Sequence, residues 1–418
     1  RHGAAWERPG WVSFFEGGRL VHSAAAGVRV HGGSSRYAAD LPQGFRLYFR
    51  RRFGARELPA GVAFSGAHAH PLRRLIVHND ERRADDGMRW HLVNPLAYDI
   101  AAAVGGITSP TRPVRFVLNG ESQGVFVLKE HFDPEDFFEA HVGHRVRAEG
   151  AEFDAIGSEI QALRPLRMRR VERLVDLDNL TRWFIATAFC ATRDAYQGPG
   201  QFRDPTRAEA QWFWVNWDMD QSFRAVDQDS FAALLSRTGA RRARRPSDPR
   251  PRILTALLDE DPEYRAYFQR VWVEVMNHVL TPAFLDERYR HYATAAATLG
   301  IEDRAYLVPL RHFLTHRPVT VWRAAERWLR TGESVEVQLA GTRGAAEIDG
   351  RRVAPGWQGR YFPGMAVRLR VPPNLAYAFS HWVINGQVVT GVETTLTART
   401  PLRIEPVWAP GAALPAAP

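Results

Sequence analysis

The sequence predicts an α+β protein with a sheet-rich segment, a helical segment and a small all-β segment. Three changes of pattern along the 418 residues lead to this prediction. Apolar and polar residues alternate over residues 27–130, helical spacing dominates after Asp133-Pro134, and short alternating runs return after Thr331-Gly332. We therefore predict a lead-in segment (1–26), a sheet-rich part (27–165), a helical part (166–330), a small β domain (333–408) and an Ala/Pro tail (409–418).

Short strands and one helix are predicted in the sheet-rich part. Strand-like segments lie at 27–31, 45–49, 72–77 and 113–118, and helical spacing over 90–104 stops at Gly105-Gly106, a typical helix end. Asn119-Gly120 is a hairpin turn signal, and the apolar residues after it predict a strand that closes at Lys129.

The helical part contains two segments that end in acidic residues. We predict Asp178 as the N-cap of a helix over 179–192, which places Asp194 just beyond its end. The aromatic run 211–217 predicts a continuous strand with Asp218 and Asp220 behind it. An Arg/Pro-rich loop (236–252) and three helices (253–280, 282–299 and 304–329) are predicted to follow.

The C-terminal part is predicted to consist of short strands. Alternating runs lie at 335–339, 366–371, 382–384 and 402–407, and turn signals at Pro363-Gly364 and Asn385-Gly386 separate them.

Composition limits the classes of partner and site. A net charge of +9 and a pI near 10.1 favour acidic partners, although arginines spread along the chain equally indicate a solvated basic surface. Cys190 is the only cysteine, which excludes an intramolecular disulfide and a cysteine-rich zinc site. No run of 18 apolar residues predicts a transmembrane helix. The chain starts at Arg1, and we expect that a signal segment is absent from it.

Lys129 is the only lysine among 55 basic residues. Where arginine serves almost everywhere, a retained lysine indicates a need for a compact ammonium group, which a planar guanidinium cannot imitate. We interpret Lys129 as a phosphate-binding residue on a sheet. The alternative is a surface lysine left by chance.

Lys129, Asp194 and Asp218 follow one another in an order that suits phosphoryl transfer. That reaction needs a cation for the nucleotide phosphates, a carboxylate that orients or deprotonates the acceptor hydroxyl, and a carboxylate for magnesium. Asp220 would be a second metal ligand or point to the opposite face, and Glu130 would pair with a basic group or orient Lys129. The alternatives are that Asp194 terminates its helix and that Asp218 and Asp220 are turn residues.

Several stretches resemble the spore-coat protein H (CotH) kinase family of atypical protein kinases, over roughly residues 27–325. The matching stretches are GVRVHGGSSR with FRLYFRRRFG, LRRLIVHND, VRFVLNGESQGVFVLKEHFD, DLDNLTRWFIATAFCATRDAY, FWVNWDMDQSF and ALLDEDPEYRAYFQRVW. The resemblance implies a two-lobed, atypical protein-kinase-like domain that transfers the γ-phosphate of ATP to serine or threonine hydroxyls of proteins. It also implies that Lys129 holds phosphate, Asp194 is the active-site aspartate and Asp218 binds Mg²⁺ or Mn²⁺.

One position departs from the family pattern. Members often carry an asparagine shortly after the first aspartate, and Gln201 is the nearest equivalent here, a poorer magnesium ligand. Arg29 or Arg46 could grip the nucleotide in place of Lys129. The alternative function is therefore a catalytically silent surface scaffold or adhesion protein that keeps the kinase-like fold.

The C-terminal residues 361–387 resemble the divergent internalin-type β-repeat of bacterial surface proteins. This resemblance implies a location in the cell envelope or outside the cell, contact with an envelope polymer, and an envelope, coat or secreted protein as substrate. We do not expect nucleic-acid binding, because the Arg-rich stretch 241–252 lacks interleaved aromatic residues. We treat the His68-x-His70 pair as chance, since no cysteine or carboxylate stands near it in the sequence.

Overall fold

The computed structural model describes residues 4–32, 43–79, 91–132, 136–143, 146, 159–193, 195–196, 201–204, 206, 209–236, 248–301 and 304–411. The chain divides into two compact units. The first unit contains Arg1–Asp261 and Pro282–Arg317, and the second contains Pro262–Thr281 and Pro318–Pro418. Both helices and strands are present, so the predicted α+β class is confirmed. The two-lobed, kinase-like arrangement stays a prediction.

A six-stranded antiparallel sheet forms the N-terminal part of the first unit. Its strands are β1 (Arg8–Glu16), β2 (Arg19–His31), β3 (Gly44–Tyr48), β4 (Arg74–His78), β5 (Thr111–Leu118) and β6 (Glu121–Glu130), in the order β1-β2-β3-β4-β6-β5. The turn between β5 and β6 is confirmed at Asn119-Gly120. Both residues have positive φ angles, 51° and 86°, which this dipeptide tolerates.

One face of this sheet packs a hydrophobic core. Side chains alternate between faces along each strand, so the buried apolar residues of neighbouring strands meet on one side. The cluster contains Ala24, Ala26, Leu47, Phe49, Leu58, Ala63, Phe64, Leu72, Leu75, Val77, Phe126 and Leu128. The opposite face carries the polar side chains described below together with buried apolar residues such as Ile76 and Val127.

The predicted lead-in segment is part of the sheet. β1 and β2 pair from Arg8 with Val28 to Glu16 with Arg19, so the predicted boundary at residue 27 falls inside β2. One face of β1 is exposed, and Val12 and Phe14 on its other face are half-buried against the core.

Helix α1 (Val93–Ala103) connects β4 to β5 and ends before Gly105, whose φ of 91° only glycine adopts readily. The predicted helix end is therefore confirmed. The predicted start at residue 90 lies outside the described residues.

The other helices of the first unit are α2 (Asp136–Val142), α3 (Met168–Val171), α4 (Leu177–Cys190), α5 (Ser230–Leu235), α6 (Pro249–Glu260) and α8 (Pro282–Leu299). The N-cap of α4 is Asp176, whose carboxylate accepts a hydrogen bond from the Asn179 amide at 2.9 Å. The prediction of Asp178 as N-cap is wrong, because Asp178 lies in the first turn and pairs with Arg182 on the helix surface.

The prediction of one continuous strand over the aromatic run 211–217 is wrong. Only β8 (Phe213–Trp214) is a strand, and it pairs with β7 (Gln201–Phe202). The neighbouring residues make single bridges to other segments, Trp212 to Val175 and Val215 to Ile107. The run is buried between three different segments, so no single ladder can extend along it.

The helix predicted at 253–280 is two helices, α6 and α7 (Pro262–His278). Pro262 lacks an amide hydrogen and disfavours helical backbone at Asp261, which is extended at φ −117° and ψ 105°. The predicted loop at 236–252 falls mostly on residues 237–247, which lie outside the described residues, and its end begins α6. The helices predicted at 282–299 and 304–329 are confirmed as α8 and α9 (Arg304–Leu329).

The second unit combines α7 and the end of α9 with nine short strands. These are β9 (Val335–Leu339), β10 (Ala346–Ile348), β11 (Arg351–Val353), β12 (Gln358–Tyr361), β13 (Ala366–Arg370), β14 (Phe379–Ile384), β15 (Gln387–Val389), β16 (Glu393–Thr397) and β17 (Leu402–Trp408). They form a four-stranded sheet (β11-β10-β13-β16) and a five-stranded sheet (β12-β9-β17-β14-β15). A separate all-β domain over 333–408 is not confirmed, because the compact unit also contains helical segments.

The side-chain amide of Asn277 in α7 joins β12 to this helix. It accepts a hydrogen bond from the Arg360 amide at 2.9 Å and donates one to the Arg360 carbonyl at 3.0 Å. The helices within the described part of the chain include none with the length and hydrophobicity of a bilayer span.

Candidate functional site

Three of the predicted basic residues lie in one row across the sheet. Arg29 in β2 stands opposite Arg46 in β3, Arg46 opposite Ile76 in β4, and Ile76 opposite Lys129 in β6. Directly paired residues of antiparallel strands project from the same face. Arg29, Arg46 and Lys129 therefore share the face that turns away from the hydrophobic core.

Tyr98 connects Lys129 to Asp218. The Lys129 side chain is 4% exposed, and its Nζ atom lies 5.8 Å from the centre of the Tyr98 ring on α1. The hydroxyl oxygen of the same tyrosine accepts a hydrogen bond from the Asp218 amide at 3.1 Å. The structure thus brings together two residues that are 89 positions apart in the sequence. Tyr98 could not be recognised beforehand, because in the sequence it looks like any aromatic residue on a helix face.

The Asp218 backbone has a left-handed conformation with φ 56°. Phe223, a bulky residue for which positive φ is rare, has φ 61° in the same turn. Asp220 lies between them and is 4% exposed. Backbone conformations of this kind persist where surrounding contacts impose them, and they concentrate at functional sites.

The strand-like segment before Asp218 is held by α1 and the turn after it. The Asn216 amide donates to the Ile107 carbonyl at 2.8 Å. The two segments approach closely at Gly106, where an added Cβ atom would lie 2.4 Å from Asn216 Oδ1. On the other side, the Asn179 side chain bonds both the amide (2.7 Å) and the carbonyl (2.9 Å) of Trp214.

The segment that leads to Asp194 is fastened to the turn that contains Asp218 and Asp220. The Phe223 amide donates to the Cys190 carbonyl at 2.8 Å, and the Arg193 amide donates to the Gln221 carbonyl at 3.3 Å. The hydroxyls of Thr192 and Ser222 are 2.8 Å apart. Asp194 directly follows Arg193 in the sequence but lies outside the described residues.

Arg317 on α9 supports both of these segments. Its side chain is fully buried, and its guanidinium donates to five acceptors around the end of α4 and the residues after Phe223. The acceptors are the carbonyls of Ala188, Phe189, Val226 and Gln228 and the hydroxyl of Ser230. Burial lowers the pKa of Arg317 to about 10, so the group is still charged at neutral pH.

Gln201 is placed beside the same segment by its backbone alone. It is the first residue of β7 and pairs with Trp214, four residues before Asp218. Its side chain is not among the described features, so its predicted role as a metal ligand stays a prediction.

Arg29 is bound to a carboxylate that the sequence analysis missed. The Arg29 Nε atom donates to Glu7 Oε2 at 2.7 Å, and its guanidinium lies 4.4 Å from the centre of the Tyr48 ring. Burial by itself raises the pKa of Glu7, but Arg52, Arg29 and Arg50 outweigh this effect and lower it. Gly27 leaves room for this carboxylate, because a Cβ atom at position 27 would lie 2.6 Å from Glu7 Oε1.

Arg46 lies nearer to Lys129 in the row. Its Nε atom donates to Nδ1 of His31 at 2.8 Å, which requires an unprotonated nitrogen at that position. Burial, followed by the charges of His78, Arg46 and Lys129, lowers the pKa of His31 far below its ordinary value. Because Arg29, Arg46 and Lys129 lie in one row, this face carries positive charge that suits anionic ligands such as phosphates.

The side chain of Glu130 projects from the face of the sheet opposite to that of Lys129. It pairs with Leu75 on the core side of the sheet, and its Oε2 atom is 3.1 Å from His70 Nε2 and 2.8 Å from His141 Nε2. Burial by itself raises the pKa of Glu130, but the bonds from His141 and His70 more than offset this and lower it. Of the two predicted alternatives for Glu130, the structure therefore agrees with pairing to basic groups, and the carboxylate does not lie on the face from which Lys129 projects.

His70 has a carboxylate partner, although none stands near the His68-x-His70 pair in the sequence. Its partner Glu130 is 60 positions away in the sequence, a separation that no local spacing rule covers. The arrangement could be recognised only once the chain was folded.

The comparisons with known proteins agree with the first resemblance. No curated protein matches the chain. A family model described as CotH kinase protein matches residues 28–162 and 164–306, which include Lys129, Asp194 and Asp218. Because this match covers most of the chain, the protein belongs to the CotH kinase protein family.

Proposed function

We propose that this chain is an ATP-dependent protein kinase that transfers the γ-phosphate to serine or threonine hydroxyls of an envelope, coat or secreted protein. The family supports a kinase-like protein. The observation that carries the finer proposal is the position of Tyr98, whose ring contacts Lys129 and whose hydroxyl holds the Asp218 backbone.

The residues present fit a nucleotide and a divalent ion. Asp218 and Asp220 offer carboxylate oxygens, the hard donors that Mg²⁺ and Mn²⁺ prefer, and Gln201 offers an amide oxygen. Lys129 and Arg46 lie on an electropositive face that suits the phosphates. When bound, the ion would neutralise charge on the β- and γ-phosphates of ATP.

The protein groups have separate roles in this proposal. Lys129 binds phosphate as a compact point charge, with Arg46 beside it. Arg29 contributes less, since Glu7 already engages its guanidinium. Asp194 orients the acceptor hydroxyl and takes its proton. Tyr98 is a positioning residue that fixes the backbone of Asp218.

The test is ATP binding and autophosphorylation with Mg²⁺ or Mn²⁺, comparing wild type with Asp194→Asn and Asp218→Asn. These changes keep side-chain size and remove the charge. We expect each to lower the phosphorylation rate at least about 100-fold, as for loss of a positioned acid–base or metal-binding group. Asp286→Asn is the matched control, because Asp286 forms an exposed ion pair with Arg290 on helix α8.

The alternative function is an outcome of the same experiment. If wild type binds no ATP, or if Asp194→Asn and Asp218→Asn match Asp286→Asn in rate, the kinase proposal fails. A catalytically silent scaffold would then be the better description. A Lys129→Arg variant separates charge from shape, and we expect it to lose ATP affinity although its charge is kept.

We further propose that the protein acts outside the cell or in the cell envelope and that its C-terminal strands contact an envelope polymer. The support is the resemblance of residues 361–387 to an internalin-type repeat, together with the 72% exposed aromatic side chain of Tyr377. Co-sedimentation of the chain with isolated cell-wall material tests this. We expect binding that Tyr377→Ser weakens, and absence of binding by wild type would refute it.

A further inference from the structure

His70, Glu130 and His141 come together from three separate segments of the first unit. His70 lies in the turn before β4, Glu130 ends β6, and His141 lies in the last turn of α2. One ligand atom from each lies within 4.8 Å of the other two. We propose that these three side chains form a binding site for a divalent transition-metal ion, with Zn²⁺ as the favoured ion.

The distances suit this ion. Zinc bonds to histidine nitrogen and carboxylate oxygen are about 2.0–2.2 Å long, so ligand atoms of a tetrahedral site lie about 3.3 Å apart. The two contacts to Glu130 Oε2 are 3.1 Å and 2.8 Å. Relative to Glu130, each histidine would need to move by only a few tenths of an ångström to admit the ion, and all three ligand atoms lie within 4.8 Å of one another.

The hydrogen bond on the far side of His70 supports the same conclusion. Its Nδ1 atom is 3.2 Å from the Pro71 carbonyl, which can only accept, so Nδ1 carries a proton. In the protonated ring, the Nε2–H group donates to Glu130 Oε2. In the neutral ring, the lone pair of Nε2 faces the same carboxylate, so a metal cation can take the place of the proton between the two atoms. An outward Nδ1–H bond to a carbonyl is the arrangement by which metal-binding histidines are usually oriented.

The donor set and the burial favour zinc over magnesium. Two imidazoles and one carboxylate suit Zn²⁺, whereas Mg²⁺ prefers oxygen donors and keeps its waters. Glu130 is buried, with 3% of its side chain exposed, while His70 and His141 are 21% and 13% exposed. An ion can therefore enter from solvent, and water can complete the fourth position.

This site is distinct from the one proposed for the nucleotide. Glu130 and Lys129 are neighbours in β6 but project from opposite faces of the sheet. A bound ion would link the turn before β4 and helix α2 to the end of β6. It would therefore hold the strand that carries Lys129 without touching a ligand on the other face, and it does not depend on kinase activity.

The experiment measures binding of Zn²⁺ alone to the full chain. His312 and His316 lie one turn apart on α9 with ring centres 4.2 Å apart, a pair that could bind metal at the surface. All measurements therefore use a His316→Ala background. We expect one Zn²⁺ per chain after dialysis, measured by elemental analysis, and a rise in the unfolding temperature on adding Zn²⁺.

In this background, we expect His70→Ala and His141→Ala each to weaken Zn²⁺ binding at least about tenfold. Mutation of a residue that only hydrogen-bonds to a metal ligand already lowers metal affinity by about this much. His381→Ala is the control, because His381 lies on β14 in the second unit, where its ring bonds to the Ser380 hydroxyl. The proposal would be overturned if both cluster variants bound zinc as tightly as the His316→Ala protein. It would also be overturned if the His316→Ala protein itself retained no zinc after dialysis.

A second measurement needs no cluster variant and covers the case in which one fails to fold. X-ray absorption at the zinc edge of the loaded His316→Ala protein counts the ligand types directly. We expect two imidazoles with oxygen donors at about 2.0–2.2 Å. A site with one imidazole or none would refute the assignment.

Discussion

Replacing Arg317 by methionine should destabilise the first unit, because the buried guanidinium donates to five acceptors. Methionine has a similar length and no polar hydrogens. Ala188 keeps a second donor, the Ser230 hydroxyl at 2.8 Å, but the carbonyls of Phe189, Val226 and Gln228 lose the donor that the guanidinium supplied.

The size of the effect follows from these three carbonyls. Each buried acceptor left without a partner costs about 1–3 kcal/mol. Part of this cost is offset, because the variant no longer buries a charge and water can reach the half-buried Val226 and Gln228. We therefore expect a net loss of about 3 kcal/mol in the free energy of unfolding. Arg317→Lys should lose less, since it keeps the charge and three donors.

Thermal and urea-induced unfolding of the variants measures this loss. Arg323→Met is the matched control, because Arg323 lies on the same helix and is exposed. If Arg317→Met and Arg323→Met unfold within about 0.5 kcal/mol of each other, the usual range for surface substitutions, the guanidinium does not hold the end of α4 as argued.

Three further predictions concern the basic sheet face and its link to Asp218. Tyr98→Phe keeps the ring but removes the acceptor of the Asp218 amide, and we expect autophosphorylation to fall about fivefold, for a hydrogen bond of roughly 1 kcal/mol. An unchanged rate would separate Tyr98 from the site. Glu7 has a pKa below its ordinary 4.5, so its stabilising contribution is complete above pH 4.5 and is lost as the pH falls through the lower folded value. Glu7→Gln should therefore be less stable than wild type at pH 7 and lose less stability on acidification, and parallel acid titrations would contradict the bond to Arg29. Gly27→Ala places a Cβ atom 2.6 Å from Glu7 Oε1, and we expect a lower unfolding temperature from overpacking of about 1–3 kcal/mol; a variant as stable as wild type would show that the carboxylate can move.

Local patterns predicted much of the secondary structure. The Asn119-Gly120 turn and the end of α1 before Gly105 depend on backbone angles that few residues adopt, so the residues themselves reveal them. The long helices α8 and α9 have regular apolar spacing and were predicted with their observed limits. Predictions failed where local patterns were interrupted by tertiary contacts, as in the run 211–217, whose residues pair with three different segments.

The candidate site was predictable only in part, and for a related reason. Lys129 is conspicuous because it is the only lysine, and Asp218 because it follows an aromatic run. Glu7 and Tyr98 have no unusual neighbours in the sequence. They became candidates only when the structure placed Glu7 against Arg29 and Tyr98 between Lys129 and Asp218.

The sequence by itself determined many of the strands, turns and helices, because their patterns depend on residues that are close together in the chain. It also determined that the chain resembles the CotH kinase family, through motifs that are continuous in the chain. Only the tertiary structure decided that Glu130 lies on the core side of the sheet and that it joins His70 and His141. Such contacts depend on how distant segments pack, which local spacing does not show.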